Sequence, residues 1–469
     1  MKRTRGALEK VIKSVLIASV LFTAAAISAR AQNPADVQQL RDKIKQLEQT
    51  IDDLKKQVTA VEDAQKKVPA VVPAAVPGAV PAAQPGAPSD ENEGKRTFEI
   101  YGFAMLDLGY DFKTNNPDWY DVMRPTQLPS FAGQFAPDGK VYMGVRQSRL
   151  GFKSSTPTKY GDLKTTFEFE LFGTGANAGQ TTFRLRHAYG ELGKIGAGQY
   201  WTVFGDTDAY PNSFEYWGPN GLVWFRNVQV RFMPFKGKNS WTIALEKPGA
   251  SGDQGIYANR IELQGIKPKL AWPDLTSNVR FDRDWGHVQI SGLVRSIRWV
   301  DTNNDAFDLG GSAVGLGANF SSHVNFGENN VGRFQFTYGK GIENYMNDAP
   351  VDIGVENNAA AGDPRRPLKG VALPVFGMST FLDHTWNKKF TSSVGFSMLN
   401  IENSNGQARD AYHKGYYALG NLLWTPVQNL MIGAEFQYGR RENFLDGFGV
   451  NDYRMQFAFK YNFSKEWKY

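Results

Sequence analysis

The stretch FEIYGFAMLDLGYDF puts Phe98, Ile100, Ala104, Leu106, Leu108, Tyr110 and Phe112 on even positions and Glu99, Asp107 and Asp111 on odd ones. A period of two means that one face is apolar and the other polar, the signature of a strand with two different environments. From Thr97 onward no helical period persists, and the same alternation recurs near 98–112, 141–155, 161–173, 181–192, 194–203, 223–235, 238–247 and 276–285. Eight more segments follow near 287–300, 309–323, 328–340, 371–386, 388–401, 411–425, 428–442 and 450–463, an even total of sixteen. Their connections alternate between long excursions, such as 248–275 and 341–370, and short turns such as FKGKN, DWGH and WNKK.

A soluble β-sandwich has no such long-short rule and few strands of this length. A sixteen-stranded antiparallel transmembrane β-barrel, all-β, has both. In its last strand Met455, Phe457, Phe459, Tyr461 and Phe463 share one face, while Arg454, Gln456, Lys460 and Asn462 share the other. This predicts a lipid-facing exterior and a polar interior. An open edge would leave unpaired backbone groups in lipid, at several kcal/mol each, so the sheet is expected to close.

The chain before the barrel divides into three parts. Residues 1–31 carry Lys2, Arg3, Arg5, Lys10 and Lys13, an apolar run from Val15 to Ile27 and the small-residue site Ala29-Arg30-Ala31, which reads as a secretory signal peptide. The run is about 13 residues, short of the roughly 20 a spanning helix needs. In 32–67, Val37, Ile44, Ile51 and Val58 alternate with Leu40, Leu47, Leu54 and Val61 in strict heptads, predicting a periplasmic coiled coil. Residues 68–96, with prolines at 69, 73, 77, 81, 85 and 88, read as a semi-rigid linker to the barrel domain, 97–469.

Removing 1–31 takes away six Lys or Arg and one Glu, so the formal charge falls from +6 to +1. The mature chain has no basic surplus, and no nucleic-acid partner is expected. With no Cys, thiolate catalysis and disulfides are excluded, and Cys-based metal sites with them. The five His, at 187, 287, 323, 384 and 413, form no nucleophile or metal motif. No enzyme activity, cofactor or metal is expected. A plugged energy-coupled transporter would need about 22 strands.

The signal peptide, heptads and Pro/Ala linker, with RQSRLGFK, FRLRHAYGELG, GQYWTVFGD, YPNSFEYWGPNGLVWFRN and GAEFQYGRREN, resemble trimeric Gram-negative porins, specifically the DcaP-like porins. The resemblance spans essentially the whole mature chain. It implies a homotrimer of sixteen-stranded outer-membrane barrels, each a water-filled diffusion channel narrowed by its third external loop. The solutes implied are small anions, dicarboxylates among them, and the other partners are outer-membrane lipid and lipopolysaccharide. The aromatic terminus, Tyr469, is similar to the signal read by the barrel assembly machinery. The heptads differ on number: β-branched a positions with Leu at d favour two strands.

General porins line the wall opposite the loop with arginines from strands 2, 4 and 6. The matching positions are Arg149, then Arg184 and Arg186, then Arg226 and Arg231. With Leu150 and Phe152 towards lipid, Arg149 and Lys153 face inward, and Phe183 and Leu185 outward put Arg184 and Arg186 inward. Arg231 faces inward when Val228, Val230 and Phe232 face lipid, as do Arg280, Arg295, Arg333 and Arg441 by parity on their own strands. Arg146 and Arg226 have the wrong parity, so a rim position or a bulge is required at Arg146.

The constriction loop, about 204–222, would add Asp206, Asp208 and Glu215, giving a transverse field against the guanidiniums. Such a channel selects by charge and size and needs no covalent step. A different class, an envelope tether whose barrel only anchors the coil, is distinguished by the absence of conductance.

Overall fold

The computed structural model describes Lys45 and residues 96–469. The expected signal peptide, coiled coil and linker otherwise lie outside the described residues. The first part of the sheet comprises β1 (Thr97–Asp111), β2 (Lys140–Gly144), β3 (Arg149–Thr156), β4 (Leu163–Phe172), β5 (Thr181–Leu192), β6 (Ile195–Trp201) and β7 (Arg226–Phe235). There follow β8 (Asn239–Glu246), β9 (Ile266–Pro268), β10 (Asp274–Arg283), β11 (Gly286–Asp301), β12 (Gly311–Phe326) and β13 (Asn330–Lys340). After β14 (Ile353–Asn357) and β15 (Leu368–Ala372) come β16 (Pro374–Asn387), β17 (Phe390–Ile401), β18 (Tyr412–Val427), β19 (Leu430–Asn443) and β20 (Gly449–Lys468).

β2 and β3 both pair with β1, and β9 and β10 both lie along β11, so these pairs are interrupted staves. Sixteen antiparallel staves result. β1 and β20 pair from Thr97↔Lys468 to Asp111↔Arg454, which closes the barrel and removes the open edge. Beside this seam Arg96 and Tyr469 exchange backbone hydrogen bonds of 3.0 and 3.1 Å. β14 and β15 form a separate hairpin in the long connection after β13.

The period-two pattern has the predicted meaning. Phe457 and Phe459 are 44% and 45% exposed on the outer face, while Arg454 and Gln456 are fully buried inside. Between β2 and β3 the register on β1 runs from Asp107↔Gly144 to Phe103↔Arg149, five steps against four. That extra residue is a bulge, and it turns Arg146 inward. The buried Arg146 donates to Asp121 Oδ1 (2.7 Å) and Gly173 O (2.9 Å) over the Phe172 ring.

The connection between β6 and β7 folds into the lumen along the inner faces of β11 to β19. Polar side chains there hold its backbone: Gln289 on Gly205 O, Asn319 on Phe204 O and Asn421 on Asn212 O. In turn Ser397 Oγ accepts from Gly221 N (2.9 Å), and Glu435 accepts from Phe214 N (3.0 Å) and Glu215 N (3.2 Å). Gly221 lies so close to the wall that a Cβ would meet Met398 O at 2.2 Å and Met378 O at 2.5 Å. Phe204, Val223, Ile342 and Tyr345 pack the loop's two ends against the connection after β13. A loop docked through both its backbone and its ends has a fixed position and sets a fixed aperture.

A channel constriction as the candidate functional site

Between the inward loop and the wall of β1, β3, β5 and β6 lies a cavity of about 920 Å³. Arg149, Lys153, Arg184, Arg186, Arg226 and Lys460 all line it, facing Tyr210, Glu215, Tyr216 and Trp217 of the loop. Strand alternation delivers Arg149 and Lys153 from β3, with Leu150 at the lipid face. β5 carries a bulge: Glu168 pairs with His187 but Phe169 with Leu185, so Arg186 is the extra residue and turns inward beside His187. Arg226 opens β7 as the chain leaves the loop, where the parity of Val228 and Val230 does not yet bind it.

Two carboxylates on β4 organise these cations. Arg186 donates from Nε to Glu168 Oε1 (2.5 Å) and from Nη1 to Glu170 Oε2 (2.6 Å). Arg149 stands farther off, 3.7 Å from Glu168 and 3.5 Å from Glu170, while Arg184 and Arg226 reach Glu170 at 3.5 and 3.6 Å. Tyr101 donates to Glu168 (2.8 Å) and Tyr216 of the loop donates to Glu170. Tyr216 stacks on Phe172, with centroids 3.8 Å apart. Four guanidiniums thus share two carboxylates, which keeps the arginines ordered and leaves the cluster positive. Lys153 over Tyr101 and Lys460 over Phe103 extend the positive wall.

The three acidic loop residues separate. Asp206 is buried against the other wall, 2.7 Å from His287 Nε2, accepting from Ser321 (2.7 Å) and from Arg280 (3.4 Å). Burial opposes its ionisation, but the His287 and Ser321 hydrogen bonds and the Arg280 charge outweigh it and hold this carboxyl below its ordinary value. Asp208 accepts from Arg280 Nη2 (2.6 Å). Asp206, Asp208 and His287 offer ligand atoms within 4.8 Å of one another, but the Arg280 guanidinium already supplies the positive charge there.

Of the three, Glu215 alone lines the arginine cavity. Its Oε1 accepts from Met123 N (3.2 Å) and Trp217 N (3.1 Å), and its Oε2 has no partner. Burial, and then the neighbouring Glu435 carboxylate, push this carboxyl up to about 8.

Two expected wall arginines do not line this cavity. Arg231 donates to Gln229 Oε1 and Trp201 O and lies 5.3 Å from the centroids of both Tyr189 and Tyr200, whose rings stack on each other. Arg295 is buried, paired with Asp352 (2.9 Å) and Asp274 (3.2 Å), and ties the connection after β13 to the wall. Arg333 and Arg441 are likewise tethers, to Asp383 and Asp208 O and to carbonyls of Thr126 and Asp410.

Periodicity left Glu168 and Glu170 unnamed although FEFELF, with Phe167 and Phe169 outward, places both inside. Arg124 lies in the long first connection and has no periodic signal. Its guanidinium sits 4.1 Å from Trp119 and 3.9 Å from Trp217, held by Asp348 (2.8 Å), on the cavity lining.

A family model described as the DcaP outer membrane protein matches residues 25–463. Among solved structures, the outer membrane channel DcaP of Acinetobacter baumannii superposes with a TM-score of 0.65 at 18% identity, covering 80% of this chain and 99% of that one. The anion-selective porin from Comamonas acidovorans gives 0.49 at 10% identity, covering 78% and 100%. The outer-membrane expressed OmpT of Vibrio cholerae gives 0.48 at 11% identity, covering 80% and 99%. No curated protein matches.

Proposed function

The chain belongs to the DcaP outer membrane protein family, and we propose that this porin-like outer-membrane channel passes small anionic solutes, dicarboxylates among them, by passive diffusion. The observation that carries the reading is the imbalance on the wall, where Arg149, Arg184, Arg186 and Arg226 have only Glu168 and Glu170 as ion-pair partners among the described residues. Guanidiniums stay protonated and present planar paired donors that match a carboxylate. Fixed in a narrow aperture, they lower the barrier for anions and raise it for cations. A dicarboxylate spans two such groups at once, whereas a monocarboxylate engages one.

In this reading the working form is a homotrimer anchored in lipid and lipopolysaccharide and delivered by the barrel assembly machinery. The signal peptide is removed on export, and the heptads of 32–67 stand in the periplasm. No covalent step and no cofactor enter.

The test is the reversal potential of the full-length protein in a planar bilayer under a salt gradient. Anion sign is expected, with succinate-class solutes reducing chloride current and Arg149→Ala weakening both effects. Cation sign overturns the reading, and a barrel that gives no conductance favours the tether.

A further inference from the structure

At the long-loop end of the barrel the outer face carries an unpaired group of cations. Lys267 and Lys269 lie on β9 and in the break that separates it from β10, and Arg298 sits directly opposite, its backbone carbonyl accepting from Lys269 N (2.8 Å). Lys340 ends β13, two staves along from Arg298. All four side chains are exposed, and none enters an ion pair among the described residues. In the overlying loops Arg260 pairs with Glu262, Arg366 with Asp308 and Lys369 with Glu356, and Arg365 is exposed without an ion pair among the described residues.

The surroundings of the unpaired group are lipid-facing. Leu270 and Trp272, in the same break, are 60% and 61% exposed, and Val294 and Tyr338 stand open on the staves below Arg298 and Lys340. Long connections mark the external side of such barrels, so this sector meets the outer leaflet. Four cations fixed above an apolar, Trp-bearing surface need both a hydrocarbon cover and anionic groups at headgroup depth. Free phosphate answers only the second need.

We propose that Lys267, Lys269, Arg298 and Lys340 bind the phosphates of an outer-leaflet glycolipid of the lipid A type, whose acyl chains lie along Leu270, Trp272 and Val294. Lysine ammoniums and the Arg298 guanidinium then take the place that divalent cations hold between neighbouring glycolipids. The site is on the outer wall, so it stands or falls independently of the anion selectivity of the lumen.

The experiment uses full-length protein in detergent, stripped of copurified glycolipid, with bound lipid read by native mass spectrometry. Lipid A is titrated against three separate arms: its dephosphorylated form, phosphatidylglycerol and inorganic phosphate. Lipid A is expected to bind most tightly. Replacement of three cations, Lys267→Gln with Lys269→Gln and Arg298→Gln, is expected to weaken it roughly a hundredfold, each cation near an anionic lipid surface being worth about fivefold. Bilayer conductance of the triple variant is expected to stay unchanged, which shows that the barrel is intact.

Undiminished lipid A binding by that variant overturns the proposal. So does equal binding of dephosphorylated lipid A or phosphatidylglycerol to the wild type, or displacement of lipid A by inorganic phosphate. If the triple variant does not fold, Lys269→Gln and Arg298→Gln alone are each expected to weaken binding several-fold, and unchanged binding by both overturns the proposal equally.

Discussion

Arg186 bridges Glu168 and Glu170 at 2.5 and 2.6 Å, whereas Arg149 stands 3.7 and 3.5 Å from the same two carboxylates. The two arginines therefore do different work. Arg186, 5% exposed, is the counter-ion that allows two glutamates to sit side by side in the wall. Arg149 keeps part of its charge available to the lumen, with a side chain 23% exposed.

Arg186→Met removes the two shortest ion-pair contacts of Glu168 and Glu170 and leaves them the more distant Arg149, Arg184 and Arg226, a change expected to cost less than the about 3–5 kcal/mol of a fully stranded buried charge. Its barrel is expected to lose its heat resistance on gel electrophoresis at a distinctly lower temperature, and its bilayer selectivity to move towards cations. Arg149→Ala is expected to keep the wild-type unfolding temperature and to lose a few-fold in anion preference. Equal stability of the two variants would refute the division of roles.

Glu170 is the residue that most tempers the wall, since Arg149, Arg184, Arg186 and Arg226 all lie within 3.6 Å of it. Glu170→Gln keeps an acceptor for Tyr216 and removes one negative charge. The anion-to-cation permeability ratio from reversal potentials is expected to rise roughly twofold to fivefold, the effect of a partly screened charge of about 0.5–1 kcal/mol.

The barrel was legible because lipid and water enforce opposite demands on alternate residues, as Phe457 beside Gln456 illustrates. Arg149 and Lys153 were legible by the same parity. Arg184 and Arg186 were as well, while Arg146 was not, because it owes its inward aim to one inserted residue, and an insertion is a property of two strands read together. Arg295 has inward parity like Arg149, yet Asp274 and Asp352 bury it. Parity gives a side without giving a partner. The same applies to Asp206 and Asp208: the sequence placed them on the inward loop, and only the fold shows that Arg280 and His287 take up their charge on the far side.

The loop's fixed position depends on Gly221, where a Cβ would press on two wall carbonyls that cannot yield without breaking β16 and β17 pairing. Gly221→Ala is expected to lift the loop, giving larger and noisier single-channel conductance and weaker anion preference with the barrel still heat-resistant. An unchanged conductance would mean that the loop does not set the aperture.

Glu215 predicts the direction of a pH effect. Its carboxyl titrates near 8 in the folded loop against about 4.5 when exposed, because burial and the Glu435 carboxylate disfavour the charge more than Arg454 favours it. The folded state therefore holds the proton more tightly than the unfolded chain. Stability from this group is fully present below about pH 4.5 and is lost as pH rises through 8, by up to a few kcal/mol. Its hydrogen-bond partners Met123 N and Trp217 N carry no charge, and the charged groups beside it are the Glu435 carboxylate and the Arg454 guanidinium. Glu215→Gln keeps the Oε1 acceptor and removes the charge. Its denaturant midpoint between pH 5 and 8.5 is expected to vary less than that of the wild type, with the two converging at pH 5. A wild-type midpoint that rises from pH 5 to 8.5, or a Gln variant that follows the wild type throughout, would refute the assignment.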